Sequence, residues 1–166
     1  MPDIEDLDTP SRPGQGHQWL LDEAELCGVR TTELSAKSLS PDDPDNLSAN
    51  VSRAVQQGAD HIFYVVKVEI SATKEDDPVA EINFELLASY HTGDDRPETS
   101  FEDLVAFGEI RALPDIYPFA RETAQSLASR IGLDGGFIAN NLPPFTTSYA
   151  GQRQAVRNKD DEVTTA

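Results

Sequence analysis

The sequence predicts an α+β fold in which a four-stranded antiparallel sheet is followed by a long helix. Two patterns indicate this order. Apolar and polar residues alternate with a period of two in the central part of the chain, most sharply over residues 62–72 and 79–92. After residue 97 the apolar spacing changes to three and four residues, which is typical of an amphipathic helix. With 166 residues, the chain is long enough for one domain with tails.

Two weaker strands are predicted at residues 26–39 and 47–57, separated by a segment rich in Pro, Asp and Asn. The clearest strand, residues 62–72, and its neighbour, residues 79–92, are joined by an acidic turn and form a predicted hairpin. Both strands have one apolar and one polar face, as in an antiparallel sheet with one side in water. Four such strands in sequence indicate a meander or a Greek key.

Two helices are predicted after the sheet. The first, residues 101–113, has Ser100 as its N-cap and Asp103 in the capping-box position, and Pro114 is expected to end it. The main helix, residues 116–131, has a narrow apolar stripe that is rich in alanine. The glycine that follows it is a typical C-terminal cap.

The segment after the main helix, residues 133–145, is apolar and at the same time rich in glycine and proline. Loops are usually polar because they face water. We therefore expect Phe137, Ile138, Leu142 and Phe145 to cover apolar surface, either in the chain's own core or on a partner.

The folded domain is predicted to comprise residues 19–150. Residues 1–18 combine scattered acids with several Pro and Gly residues and few apolar ones, which predicts a disordered acidic lead. Residues 151–166 form a polar C-terminal tail, either a short solvated helix or a frayed end.

The chain carries 13 Lys+Arg and 30 Asp+Glu residues, a net charge of −17. This balance argues against nucleic-acid and anionic-membrane partners, because contacts to phosphate need cations, and it favours basic partners. No apolar run approaches the roughly 20 residues that span a bilayer, so we expect no membrane insertion. The acidic N-terminus is unlike a signal peptide, and a cytoplasmic protein is expected.

Patterns for catalysis or cofactor binding are absent from the sequence. The three histidines, His17, His61 and His91, have no metal-ligand spacing, and the single Cys27 excludes a disulfide within the chain. Paired acids occur in predicted turns and in the tail, where solvated charge is the simpler interpretation. We therefore expect a binding protein and not an enzyme, with no cofactor and no metal.

Residues 117–122, Tyr-Pro-Phe-Ala-Arg-Glu, resemble the signature that opens the long helix in the SecB family of protein-export chaperones. The likeness continues at Leu127, Arg130, Gly132 and Leu133, and an Asn-Leu-x-Pro element of the family matches residues 141–144. It covers about residues 26–149, in which the strands match by pattern.

The resemblance implies a homotetramer, built as a dimer of dimers, in which an apolar crossover loop and a short C-terminal helix follow the long helix. It implies an ATP-independent holdase that keeps unfolded preproteins translocation-competent. The implied client-binding groove consists of Ile82, Phe84, Leu86, Leu127, Phe137, Ile138, Leu142 and Phe145.

The resemblance also implies delivery to the translocase motor ATPase, which would dock on Glu33, Glu81 and Asn83. Lys37 and Asn83 stand where the family has acids, so a second hypothesis is a SecB-like chaperone dedicated to an antitoxin or another single client. A third hypothesis, from a different class, is a small α+β ligand-binding protein or enzyme, which predicts a buried polar cluster.

Overall fold

The computed structural model describes residues 16–145 and the backbone of residues 155–158. The elements in chain order are α1 (Gly16–Glu23), β1 (Glu25–Ser38), β2 (Asn46–Gln57), β3 (His61–Lys74), β4 (Asp77–His91), α2 (Phe101–Phe107), α3 (Leu113–Arg130), α4 (Gly135–Asn141) and β5 (Ala155–Asn158). A π-helical segment, Gly108–Ala112, joins α2 to α3. The predicted fold class is confirmed, because a four-stranded antiparallel sheet is followed by a long helix and a short helix.

The strands lie in the order β1-β4-β3-β2-β5. The first four are antiparallel to their neighbours, and β5 pairs in parallel with β2. Since β1 lies beside β4, the four main strands have the Greek-key order rather than that of a meander. This order makes β1 an edge strand, whereas β3 and β4 lie in the centre of the sheet.

One face of the sheet forms the core beneath the helices. On β3 and β4 every second side chain is buried, which confirms the predicted apolar faces. Tyr64, Tyr90 and Phe107 pack together at one end of this core, with ring centroids 5.1–6.0 Å apart. Each large apolar side chain buried in this way contributes about 1.5–3 kcal/mol.

The helix prediction around Pro114 was wrong. The Ser100–Asp103 capping box is present, but α2, the π-helical segment and α3 form one continuous helical stretch. The N–H of Leu113 already donates to the carbonyl of Gly108, five residues back, so Pro114 enters at the start of α3, where its missing N–H costs little. Pro118, expected in the first turn, lies inside α3.

Gly108 allows this continuous stretch to approach the sheet. A Cβ atom on Gly108 would lie 2.9 Å from Cε1 of Tyr64, closer than carbon atoms pack. The Tyr64 hydroxyl donates to the carbonyl of Leu104 over 2.6 Å. The close approach therefore gives a buried hydroxyl its hydrogen-bond partner.

The segment predicted to be a crossover loop, residues 133–145, contains helix α4. The end of α3 is closed by Gly132, whose φ is +81°, and by a hydrogen bond of 3.0 Å from the N–H of Leu133 to the carbonyl of Ala128. The Asp134 carboxylate then caps α4 by accepting from the N–H of Gly136 over 2.9 Å.

Helix α1 was not expected, and its first three residues, 16–18, belong to the predicted disordered lead. It is held at both ends: the N–H of His17 donates to Asp103, and Arg111 donates to the carbonyl of Leu21. Strand β5 occupies part of the tail for which a helix or a frayed end was expected. The predicted short C-terminal helix after residue 145, like residues 1–15, lies outside the described residues. None of the described helices has the length and apolar content to cross a membrane.

Candidate functional site

A groove of about 280 Å³ lies between the edge strand β1 and helix α3. Its apolar lining includes Val29 and Leu34 from the strand and Phe119 and Leu127 from the helix. Glu122 and Arg130 add one charge of each sign along the helix side. We call this site the β1–α3 groove.

Two large apolar side chains of the groove are open to solvent. Leu34 is 54% exposed and Phe119 is 40% exposed. Leu34 is the direct cross-strand partner of Phe84, so its side chain belongs to the apolar face of the sheet, at the edge of the helical cover. Leu34 and Phe119 therefore leave apolar surface open on both walls of the β1–α3 groove.

The structure places the predicted strand residues of the client groove in the core of the single chain. Ile82, Phe84 and Leu86 are 0%, 1% and 1% exposed. A client has no access to the first two in this conformation, because the chain's own helices cover this face. Only Leu86 reaches the floor of the β1–α3 groove, next to the predicted Leu127.

The predicted residues of the crossover segment pack against α3 instead of lining this groove. Ile138 and Leu142 are buried, whereas Phe137 and Phe145 are half-buried at the edge of the core. The ring of Phe145 lies 5.1 Å from that of Tyr117. Of the eight predicted groove residues, the structure therefore brings only two to the β1–α3 groove.

Residues 117–122, which match the helix signature, make contacts on two sides of α3. The Tyr117 hydroxyl donates to the carbonyl of Leu142 over 2.7 Å, and Nε of Arg121 donates to the carbonyl of Ala139 over 3.1 Å. These bonds satisfy carbonyls at the C-terminal end of α4, where a cation is also favoured by the helix dipole. Phe119, between them in sequence, faces the β1–α3 groove.

Sequence reasoning missed Val29, Leu34 and Phe119 as groove residues. A signal was present for Phe119, because it lies outside the apolar stripe of α3 and is a large apolar residue on the polar side of a helix. For Leu34 the period-two pattern could not assign a face, because β1 has register shifts between Leu26 and Gly28 and between Thr31 and Glu33 that interrupt the alternation.

The predicted motor-contact residues lie together on the outer face of the sheet. Glu33 and Glu81 are exposed and Asn83 is half-buried. Lys37 is the direct cross-strand partner of Glu81, and Lys67 is that of Glu85. Lys37 and Lys67 therefore offset part of the acidic charge of this face, although Glu33 and Glu85 are also direct partners.

A larger hollow of about 790 Å³ lies at one end of the sheet, and Asp60, His61 and Arg96 are among its lining residues. Nη2 of Arg96 donates to the carbonyl of Gly58 over 2.9 Å, and burial lowers the pKa of this guanidinium. The hydrogen bond with His61 lowers the pKa of Asp60. Within residues 16–145, no group of three or more His, Cys, Asp or Glu side chains is placed to hold a metal ion.

The buried tyrosine hydroxyls have structural partners. Burial raises the pKa of Tyr64 and of Tyr90, so both remain neutral donors. The Tyr90 hydroxyl donates to Asp115 over 2.8 Å, and Asp115 also lies 3.6 Å from Nε of Arg111. This arrangement ties the sheet to α3, and each hydroxyl is used in packing rather than aimed at a cavity.

No protein-family model matches the chain, and no curated protein matches its sequence. Among solved structures, the Mycobacterium tuberculosis SecB-like chaperone Rv1957, in complex with a ChAD peptide from the Rv1956 HigA1 antitoxin, superposes with a TM-score of 0.64. The two sequences are 18% identical, and the match covers 81% of this chain and 96% of that chain. The chain therefore has a SecB-like fold.

A second structure, a protein of unknown function from Streptococcus agalactiae, has a TM-score of 0.33 at 11% identity. Its match covers 75% of this chain and 96% of that chain. This score is too low to indicate a common fold.

Proposed function

We propose that this protein is a chaperone that binds unfolded or extended polypeptide segments without using ATP. The observation that carries the proposal is the β1–α3 groove, in which Leu34 and Phe119 leave apolar surface open on both walls. The SecB-like fold supports the same function, since the Rv1957 chaperone is itself seen with a bound antitoxin peptide.

The groove is suited to short apolar stretches of a client. Each client side chain that becomes buried there contributes about 1.5–3 kcal/mol, from which the cost of ordering the client is subtracted. A few such contacts give moderate affinity with little demand on client sequence. The net charge of −17 favours clients with basic stretches and keeps the exposed apolar surface soluble.

The test is suppression of aggregation of an unfolded protein by the full chain. Phe119→Ser and Leu34→Ser should each weaken suppression several-fold, because each removes an apolar contact from the groove. The matched controls are Phe101→Ser and Leu39→Ser, at positions 41% and 44% exposed outside the groove. These controls should retain the activity of the unmodified chain.

Equal losses in the groove variants and their controls would place client binding elsewhere. A chain that fails to slow aggregation at all, and that runs as a monomer, would remove the chaperone proposal. The remaining hypothesis would then be a small ligand-binding protein or enzyme that uses the hollow beside Asp60 and Arg96.

Delivery of preproteins to the translocase motor ATPase in the cytoplasm is the first version of this proposal. Glu33, Glu81 and Asn83 would form the contact on the outer face of the sheet. If this version holds, Lys37→Glu should strengthen motor binding, because Lys37 is the direct partner of Glu81 and offsets its charge. If neither the unmodified chain nor Lys37→Glu binds the motor ATPase measurably, this version of the proposal is excluded.

A dedicated chaperone for an antitoxin or another single client is the second version. The partly neutralised outer face favours it, as does the antitoxin peptide bound to Rv1957. This version predicts that one client binds the groove far more tightly than unrelated unfolded proteins do. Equal affinity for many unfolded proteins would contradict it.

A further inference from the structure

The sheet brings together two histidines that are distant in sequence. His61 in β3 and His91 in β4 are direct cross-strand partners. Their ring centroids are 4.9 Å apart, with the ring planes at 71°. The His61 side chain is 30% exposed and His91 is exposed, so an ion has access to both rings.

Asp60 favours one tautomer of His61. Its Oδ1 atom lies 2.8 Å from Nδ1 of His61, close enough to accept a hydrogen bond from a protonated Nδ1. In the neutral ring this assignment leaves the lone pair on Nε2. A metal-binding histidine commonly donates a hydrogen bond to a carboxylate from the ring nitrogen that does not bind the metal.

We propose that His61 and His91 bind a divalent transition metal ion of the class that imidazole prefers, with Zn²⁺ as its representative. Two imidazoles that bind one zinc tetrahedrally, with Zn–N bonds of about 2.0–2.1 Å, have ring centres about 5 Å apart. The observed centroid separation of 4.9 Å is compatible with this spacing.

The surrounding charge favours a cation at this place. Asp60 adjoins His61, and Glu25 of β1 is the direct cross-strand partner of His91. The protein supplies two ligands and no cage of three or more in residues 16–145, so water completes the coordination. The site is therefore an exchangeable one that links the ends of β3 and β4, independently of the chaperone function.

Calorimetric titration of the metal-free full chain with ZnCl₂ tests the proposal. One zinc ion per chain is expected, and His61→Gln and His91→Gln should each lower the affinity at least tenfold. His17→Gln, a matched change in α1, should leave it unchanged. Asp60→Asn should lower it several-fold, since Asp60 acts through the orientation of His61.

A chain with a net charge of −17 attracts any cation, so Mg²⁺ is the control ion. Because Mg²⁺ prefers oxygen ligands, an excess of it should not displace the zinc. Displacement by Mg²⁺, or unchanged zinc affinity in His91→Gln, would overturn the proposal.

Histidine side-chain NMR of the unmodified chain tests the same site without any variant. Zinc should shift the ring signals of His61 and His91 and leave those of His17 in place. Equal shifts at all three rings, or no shift, would contradict the proposal. This measurement remains decisive even where a substitution impairs folding.

Discussion

Leu34 and Phe84 are direct partners across β1 and β4, on the same face of the sheet, yet they have different environments. Leu34 is 54% exposed and Phe84 is 1% exposed. The difference arises from strand order, because β4 lies under the helices and β1 lies at the edge. The boundary between the core and the proposed client surface therefore runs between these two neighbouring residues.

At the residue scale, Phe84→Asp should unfold the chain rather than only separate subunits. The loss of a buried Phe costs about 3–5 kcal/mol, and an unpaired buried charge adds to this cost. Asn83→Asp is the matched control, since the adjacent side chain lies half-buried on the outer face and should change stability little. Circular dichroism during heating measures both, and an unchanged transition in Phe84→Asp would contradict the assigned strand faces.

The strand faces could be predicted because alternation along a strand fixes which side chains share a side, whatever packs against them. What packs against each face could not be predicted in this way. Ile82 and Phe84 were equally compatible with a monomer core and with a subunit interface until the helices were placed over them. The exposure of Leu34 depends on the Greek-key order, which is a non-local property of the chain.

At the element scale, the SecB-like signature joins α3 to α4 and also supplies a wall of the groove. Tyr117 and Arg121, one helical turn apart, donate to carbonyls at the end of α4. Gly135 allows the other end of α4 to pack closely, because a Cβ atom there would lie 2.6 Å from Oγ of Ser129. The two helices therefore behave as one unit.

Arg121→Met should loosen α4 while α3 stays folded. The substitution leaves the carbonyl of Ala139 without its charged donor, at a cost of about 1 kcal/mol. Hydrogen exchange of residues 135–141 should become faster, whereas the core strands keep their protection. The control is Glu122→Gln, a substitution on the groove side of α3, which should leave exchange in α4 unchanged. Equal exchange in both variants would mean that packing alone holds α4.

The segment that contains α4 was predicted as a loop because it is rich in glycine and proline, which disfavour a helix. The cap at Asp134 and the close packing at Gly135 outweigh that preference, and neither can be recognised without knowing that the segment folds back on α3. In the same way, a proline such as Pro114 is expected to end a helix only where the residues before it have the regular α-helical hydrogen-bond pattern. The π-helical segment before it changes that pattern.

At the scale of the whole molecule, a homotetramer of the kind that the sequence resemblance implies would have to join chains that each carry a net charge of −17. The edge strand β1 is fourteen residues long, and no strand is paired with its outer side among the described residues. Ile110, which is 56% exposed, adds apolar surface on the helical side. Both features favour self-association, while the net charge opposes it.

The assembly should therefore become tighter as salt is added. The screening length falls from about 10 Å at 0.1 M salt to about 3 Å at 1 M, which weakens repulsion between acidic chains and leaves apolar contacts intact. Light scattering at a series of dilutions should give a mass near four chains, persisting to lower protein concentration in high salt than in low salt. Dissociation by salt would instead mean that ion pairs between subunits hold the assembly. A monomer under all conditions, with full suppression of aggregation, would separate client binding from assembly and leave the β1–α3 groove sufficient by itself.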